Sequence, residues 1–267
     1  MKRWILFLAI CLTRLCISAP LQDRTLDPQE LLILGSALGI AEGSDFIAET
    51  QKRWLRPSGQ ERWEMDELSA EQRAFVLEWG KEHGLFAQWQ PSLSSYDTAL
   101  ILGATTCRMQ MRLDYLKELW NDGVRFEQIV WLTGDRPLDK RIDRQLDGCA
   151  TESDAARSIW QITELPEEMR QLPVVFVAVP MFPGRRPNTE DTIIAWLETQ
   201  TATRTALFVS DQPFCGYQFA VVNSILPDAI SFDLIGRGVD PHGHPAAAAI
   251  TLDSIARWIY QESLSAN

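Results

Sequence analysis

The chain has 267 residues, 46% of them hydrophobic and 23% charged, which suits a globular protein with a sizeable core and excludes a disordered one. Its 25 lysines and arginines stand against 36 aspartates and glutamates, for a formal net charge of -11 and an isoelectric point of about 4.8. Nucleic-acid binding works by neutralising phosphates, so this balance argues against it and leaves room only for a local basic pocket.

The chain opens MKRWILFLAICLTRLCISAP. Lys2 and Arg3 precede the apolar run Trp4 to Leu12, and Ser18 and Ala19 supply small residues, which is the pattern of an export signal. The run is short for a membrane span, and Arg14 interrupts its continuation. Pro20 is a poor cleavage context, so residues 1–19 are expected to be either a signal peptide or a retained anchor. Both place the rest of the chain in or facing the periplasm, the second with membrane association through the N-terminus. Cys107, Cys149 and Cys215 would remain after cleavage, too widely spaced for a disulfide framework or a zinc pattern.

Residues 20–95 read as a helical extension. Asp27-Pro28 is a helix start, with Pro in the first turn ahead of LLILGSALGIA. Ser69 to Gln72 is a capping-box pattern before AFVLEWGKEHG, with Gly84 as the stop. Lys52 to Glu67, with Pro57, Gly59 and several charges, reads as a connector. Trp54, Trp63, Trp79 and Trp89 are expected to pack this extension onto the domain C-terminal to it.

In residues 96–267 the pattern changes. Apolar runs at Thr98–Gly103, Gln128–Thr133, Pro173–Val179, Thr205–Ser210 and Ala229–Ile235 alternate with helical stretches. Those stretches are Arg108–Asn121, Glu152–Thr163, Thr189–Thr199, Phe214–Leu226 and Leu252–Leu264. Unbroken apolar strands alternating with helices predict a mainly parallel five-stranded sheet covered on both faces. The fold class is therefore α/β, three-layered and Rossmann-like, with the helical extension at its N-terminus.

In such a sheet ligands bind beyond the carboxyl ends of the strands, and a helix N-terminus there offers free N–H groups to an anion. The first loop, Gly103-Ala-Thr-Thr-Cys-Arg108, supplies the hydroxyls of Thr105 and Thr106, with Arg108 and Arg112 one turn apart on the helix. Arginine forks of this kind hold phosphate or carboxylate, although pairing with acidic neighbours is the plainer use of the same residues. Neither GxGxxG nor a Walker lysine is present. The second strand ends in Thr133-Gly134-Asp135-Arg136, with Asp135 and Arg136 expected to face the crevice. The third leads through Arg185 and Arg186 to Asn188-Thr189-Glu190 at a helix start, where Asn188 also serves as a cap. The fourth ends in Ser210-Asp211-Gln212. Four successive strand ends thus bring polar residues to one rim. Asp240, His242 and His244 lack further strong ligands and read as an exposed turn, so no metal site is expected; Cys107, without an activating His nearby, reads as a packing residue.

The ordered segments DTALILGATTCRMQMRLDYLKELWNDG, IVWLTGD, NTEDT and ALFVSDQPF resemble the YdcF/SanA-like bacterial family over about Tyr96 to Gly238. The resemblance implies a Rossmann-like domain over residues 96–267. It also implies a pocket formed by Gly103, Arg108 or Arg112, Thr133, Gly134, Asn188, Thr189, Glu190 and Ser210. For exported members it implies envelope-associated functions, and for some others binding of S-adenosylmethionine or nucleotide-like molecules, with no single reaction. This sequence departs from the family pattern in having Ala104 and Thr105 where a second Gly is usual. It also has Gln212, Phe214, Tyr217 and Gln218 where a His and an Arg often follow the fourth strand.

The functional expectation is an exported protein that binds a phosphorylated or nucleotide-like small molecule at the carboxyl edge of the sheet. The alternative is a non-catalytic envelope factor that keeps the fold without the chemistry. Neither the reaction, the catalytic residues nor a cofactor follows from the sequence.

Overall fold

The computed structural model describes residues 25–57, 60, 68–199 and 202–265. The signal or anchor expected in residues 1–19, and most of the second half of the connector including Trp63, lie outside the described residues.

Three helices come first: α1 (Pro28–Ala37), α2 (Phe46–Arg53) and α3 (Ala70–Glu82). Each starts where a short polar side chain takes a backbone amide that the helix itself cannot satisfy. Asp27 accepts from the Gln29 amide at 2.8 Å, and Asp45 from the Ala48 amide at 3.1 Å. Ser69 and Gln72 form the reciprocal capping box, at 3.2 and 3.0 Å.

The remainder alternates strands and helices. The strands are β1 (Ser95–Leu102), β2 (Arg125–Gly134), β3 (Val174–Val179), β4 (Thr205–Asp211) and β5 (Ser231–Arg237). The helices are α4 (Thr106–Asn121), α5 (Glu152–Ile162), the single turn α6 (Glu167–Arg170), α7 (Thr189–Thr199), α8 (Cys215–Ile225) and α9 (Ala247–Ser265). The expected elements form, within a few residues of their bounds. α9 starts five residues earlier than the sequence pattern suggests, because the alanine run ahead of Leu252 is both strongly helix-forming and largely buried.

The five strands pair in the order β3-β2-β1-β4-β5, all parallel. Central β1 aligns Leu100 with Val130 of β2 on one side and with Phe208 of β4 on the other. One face of the sheet buries Ile101, Ile129, Trp131 and Val209 under α4 and α5; the other buries Leu100, Leu132 and Phe208 under α7 and α8. This is why the strands read as unbroken apolar runs.

The N-terminal helices pack on α9 rather than on the sheet, in a third cluster containing Trp54, Trp79, Ile255 and Trp258. Trp89 lies beside the sheet core instead, and its backbone bridges β5 at Gly236. No helix among the described residues is long and apolar enough to cross a membrane.

Candidate functional site

The chain order reverses between β1 and β4, and the helices that come after them, α4 and α8, run down opposite faces of the sheet. The crevice between the carboxyl ends of these two strands is the ligand position of this architecture. Its floor is a set of buried arginines and carboxylates.

Arg112, only 2% exposed, uses its first nitrogens on Asp211 at the end of β4, at 2.8 Å from Nε and 2.6 Å from Nη2. Its Nη1 donates to the Leu102 and Gly103 carbonyls at 2.6 and 3.0 Å, so one guanidinium ties the ends of β1 and β4 together. Arg108, one turn earlier on α4, bonds the other Asp211 oxygen and lies 4.6 Å from the centre of the Phe214 ring. Its side chain keeps 27% of its surface in solvent.

A second cluster adjoins this one. Arg136 lies inside the domain, a correction to its expected place on the crevice wall. It donates to Glu152 at 2.6 Å, to both Asp143 oxygens at 2.8 and 3.1 Å, and to the Ala104 carbonyl at 3.1 Å. Burial opposes the charge of Arg136, and Asp143 and Glu152 outweigh it, holding the guanidinium ionised. Asp143 in turn accepts the Thr106 amide at 3.1 Å, so a carboxylate of the chain already sits at the first turn of α4. Burial pushes the Asp143 carboxyl up, but Arg136 and the backbone amides prevail and hold it below its ordinary value. For Glu152 the balance goes the other way: burial prevails over Arg136, and its carboxyl is raised. Electrostatically the floor pairs three arginines with three carboxylates, so the cradle that the loop sequence suggests is internally compensated.

Gly103 serves this cluster. A β-carbon there would stand 2.2 Å from Glu152 Oε1 and 2.6 Å from the Leu132 carbonyl oxygen. The glycine after β1 is thus accounted for by the approach of Glu152.

The remaining sequence-derived candidates divide into committed and open groups. Thr133 is buried and donates to the Val177 carbonyl at 3.0 Å; buried Ser210 donates to Gln218. Gly134 is buried, and its amide donates to Glu152 at 3.3 Å. Thr106 is buried, while Thr105, half-exposed, makes no side-chain capping bond to α4. Asp135 is half-buried and accepts from Ser153 at 2.8 Å. Asn188 caps α7 reciprocally with Asp191, at 2.9 and 2.8 Å, beside half-exposed Thr189 and Glu190. The structure therefore brings Gly103, Thr106, Arg108, Arg112, Gly134 and Asp211 into one connected cluster, and gives Thr133, Ser210 and Asn188 partners of their own.

Asp143 and Glu152 are the members sequence reasoning missed. Glu152 carried a signal, since it comes directly after the capping Thr151 at the start of α5, but that signal concerns helix initiation alone. Asp143 lies in an irregular loop between β2 and α5 with no local pattern to mark it. Cys107, expected to pack, is exposed on the first turn of α4. Asp240 and His244 take backbone amides of their own turn, from His242 and Ala246 at 2.9 and 3.0 Å. No cluster of three or more His, Cys, Asp or Glu residues suited to a metal occurs among the described residues. A cavity of about 490 Å³, lined by Asp97, Thr98, Gln128, Val175 and Trp196, lies at the opposite, amino edge of the sheet.

Fold and site together define a three-layer, Rossmann-like α/β protein with an all-parallel five-stranded sheet and a charge-compensated crevice at its switch point. No protein-family model matches the chain, and no curated protein does.

Proposed function

We propose that this chain is an exported protein of YdcF/SanA-like character that binds a small phosphorylated or nucleotide-like anion at the carboxyl edge of its sheet. One observation carries the reading. Arg108 alone of the three network arginines reaches solvent substantially, and it does so at the mouth of the switch-point crevice. Its guanidinium has five N–H donors and commits few of them to Asp211. The α4 turn beside it has Thr105 as an unused cap, so amides beyond Thr106 are available to the same ligand. Because Asp211 already neutralises much of Arg108's charge, binding is expected to be modest and sensitive to salt.

The second reading, a non-catalytic envelope factor, is favoured by a different observation. Asp143, Glu152 and Asp211 are each bound by arginine, and the hydroxyls of Thr133 and Ser210 are buried and committed. None of these five side chains stands ready as a general base or nucleophile, which needs reach to a substrate proton or reacting atom.

Calorimetric titration with inorganic phosphate, nucleotides, sugar phosphates and S-adenosylmethionine tests the first reading. An Arg108→Ala variant should weaken binding of the best of these about ten-fold or more, and undiminished binding sinks the site. Site-dependent turnover of any phosphoester by the purified protein would sink the second reading.

A further inference from the structure

One place on the crevice floor already holds an anion, and the chain itself supplies it. Asp143 lies in the irregular stretch between β2 and α5, and its carboxylate is enclosed against the first turn of α4. Arg136 meets it as a fork, with Nη1 at 2.8 Å from one oxygen and Nη2 at 3.1 Å from the other. The oxygen facing Nη2 also accepts the Thr106 amide at 3.1 Å. A guanidinium fork beside a helix-terminal amide receives carboxylate and phosphate alike. Asp143 therefore stands where an external anion would stand.

Its fit there is incomplete. Thr106 is 1% exposed, and its hydroxyl is enclosed without a hydrogen-bond partner, an arrangement that costs stability. The two Asp143 oxygens are taken by Arg136, the Thr106 amide and the Asp139 amide. A phosphate would bring further oxygens to the same spot. The stretch that carries Asp143 is closed at its base, where the Leu138 amide donates to the Ala150 carbonyl at 2.9 Å and Pro137 bridges Thr151. Above that base, the Ile142, Asp143 and Cys149 amides donate to Asp139 and Leu146, within the stretch itself. Its other ties to the domain are Leu138 and Leu146, which pack on the core, and Arg186, which lies beside Asp139. Lys140, Arg141 and Arg144 are exposed.

We propose that Asp143 is a built-in competitor for the small anion of the reading above, on which this step rests, and that residues 139–149 form a flap released when that anion binds. The anion takes the Arg136 fork, the Thr106 amide and the Thr106 hydroxyl, and Asp143 passes into water. Glu152 stays on Arg136 Nε throughout. Because one anion replaces another, the enclosed guanidinium is never left with an empty fork, which is the costly state. The closed flap thus sets a threshold that the ligand must exceed in affinity for the same donors.

Trypsin cleavage of the full chain after Lys140, Arg141 and Arg144, followed by mass spectrometry, reports the flap. Saturating inorganic phosphate, compared with chloride at equal ionic strength, should speed cleavage at these sites about five-fold or more. Asp143→Ala should be cleaved there as fast without phosphate, and in calorimetry should bind phosphate about ten-fold or more tightly than the parent. Thr106→Val removes a group that has no partner while the flap is closed. It should leave stability unchanged and weaken phosphate binding about ten-fold. If Asp143→Ala fails to fold, the parent's cleavage response and Thr106→Val carry the test. Phosphate that binds without speeding cleavage, or binds Asp143→Ala no more tightly than the parent, or ignores Thr106→Val, overturns the flap and leaves the Arg108 site standing. Failure of both parent and Asp143→Ala to bind phosphate removes flap and site together.

Discussion

Replacing Asp211 with asparagine removes the charge that holds Arg108 and Arg112 while keeping the size of the side chain. Asp211 is 1% exposed and Arg112 2%, so the substitution leaves a guanidinium enclosed without its counterion. Breaking a buried pair from one side costs about 3–5 kcal/mol. Arg112 retains the Leu102 and Gly103 carbonyls, which places the expected loss near the lower end, about 3 kcal/mol. In a chain of this size that corresponds to a melting temperature lower by roughly 6–12 °C. Urea unfolding with linear extrapolation reads the loss directly. The same variant leaves Arg108 and Arg112 in net positive surroundings, so inorganic phosphate should stabilise it more than the parent protein, by the usual linkage between binding and folding. Replacing both buried partners, Arg112→Met with Asp211→Leu, should cost less than Asp211→Asn alone, because the one charge left without its counterion, Arg108, keeps 27% of its side chain in solvent. A loss under about 1 kcal/mol for Asp211→Asn would refute the claim that this carboxylate holds the crevice together.

Gly103→Ala drives a methyl group into Glu152 and the Leu132 carbonyl, and should destabilise the fold by about 3 kcal/mol or more in the same assay. Acid acts oppositely on the two buried carboxylates of the Arg136 cluster. The Asp143 carboxyl is lowered, so its stabilisation is complete above about pH 3.8 and is lost as pH falls through its folded value; Asp143→Asn should flatten that acid limb of stability against pH. The Glu152 carboxyl is raised, so between its ordinary and folded values stability declines as pH rises, and Glu152→Gln should remove this slope in urea titrations. Asn188→Ala should cost about 1 kcal/mol through loss of the α7 cap and leave phosphate titrations unchanged, separating its capping role from ligand contact.

The elements were legible because their signals are local. A run such as ALIL between Thr98 and Gly103, or Ser69 followed by Gln72, carries its strand or cap within a few residues, and the observed elements match those patterns. The crevice was legible as a place, since parallel strands joined by helices bring every loop after a strand to one edge. Its chemistry was not. Arg108 and Arg112 looked like a fork for an external anion, and the loop ahead of them like a cradle. Their actual partner is Asp211, at the end of a strand about a hundred residues away, and the amide of Thr106 meets Asp143 from an irregular loop.

The sequence by itself determined the kinds of element, their order, the parallel sheet and the edge at which its polar loops gather, because periodicity, capping and connectivity are properties of neighbouring residues. Only the tertiary structure decided which charges meet. Whether an arginine faces a ligand or a carboxylate of its own chain depends on strand order and register, which bring Leu102 beside β4 and Glu152 beneath Gly103. That closeness in space turned the expected anion cradle into a compensated network with one arginine reaching solvent.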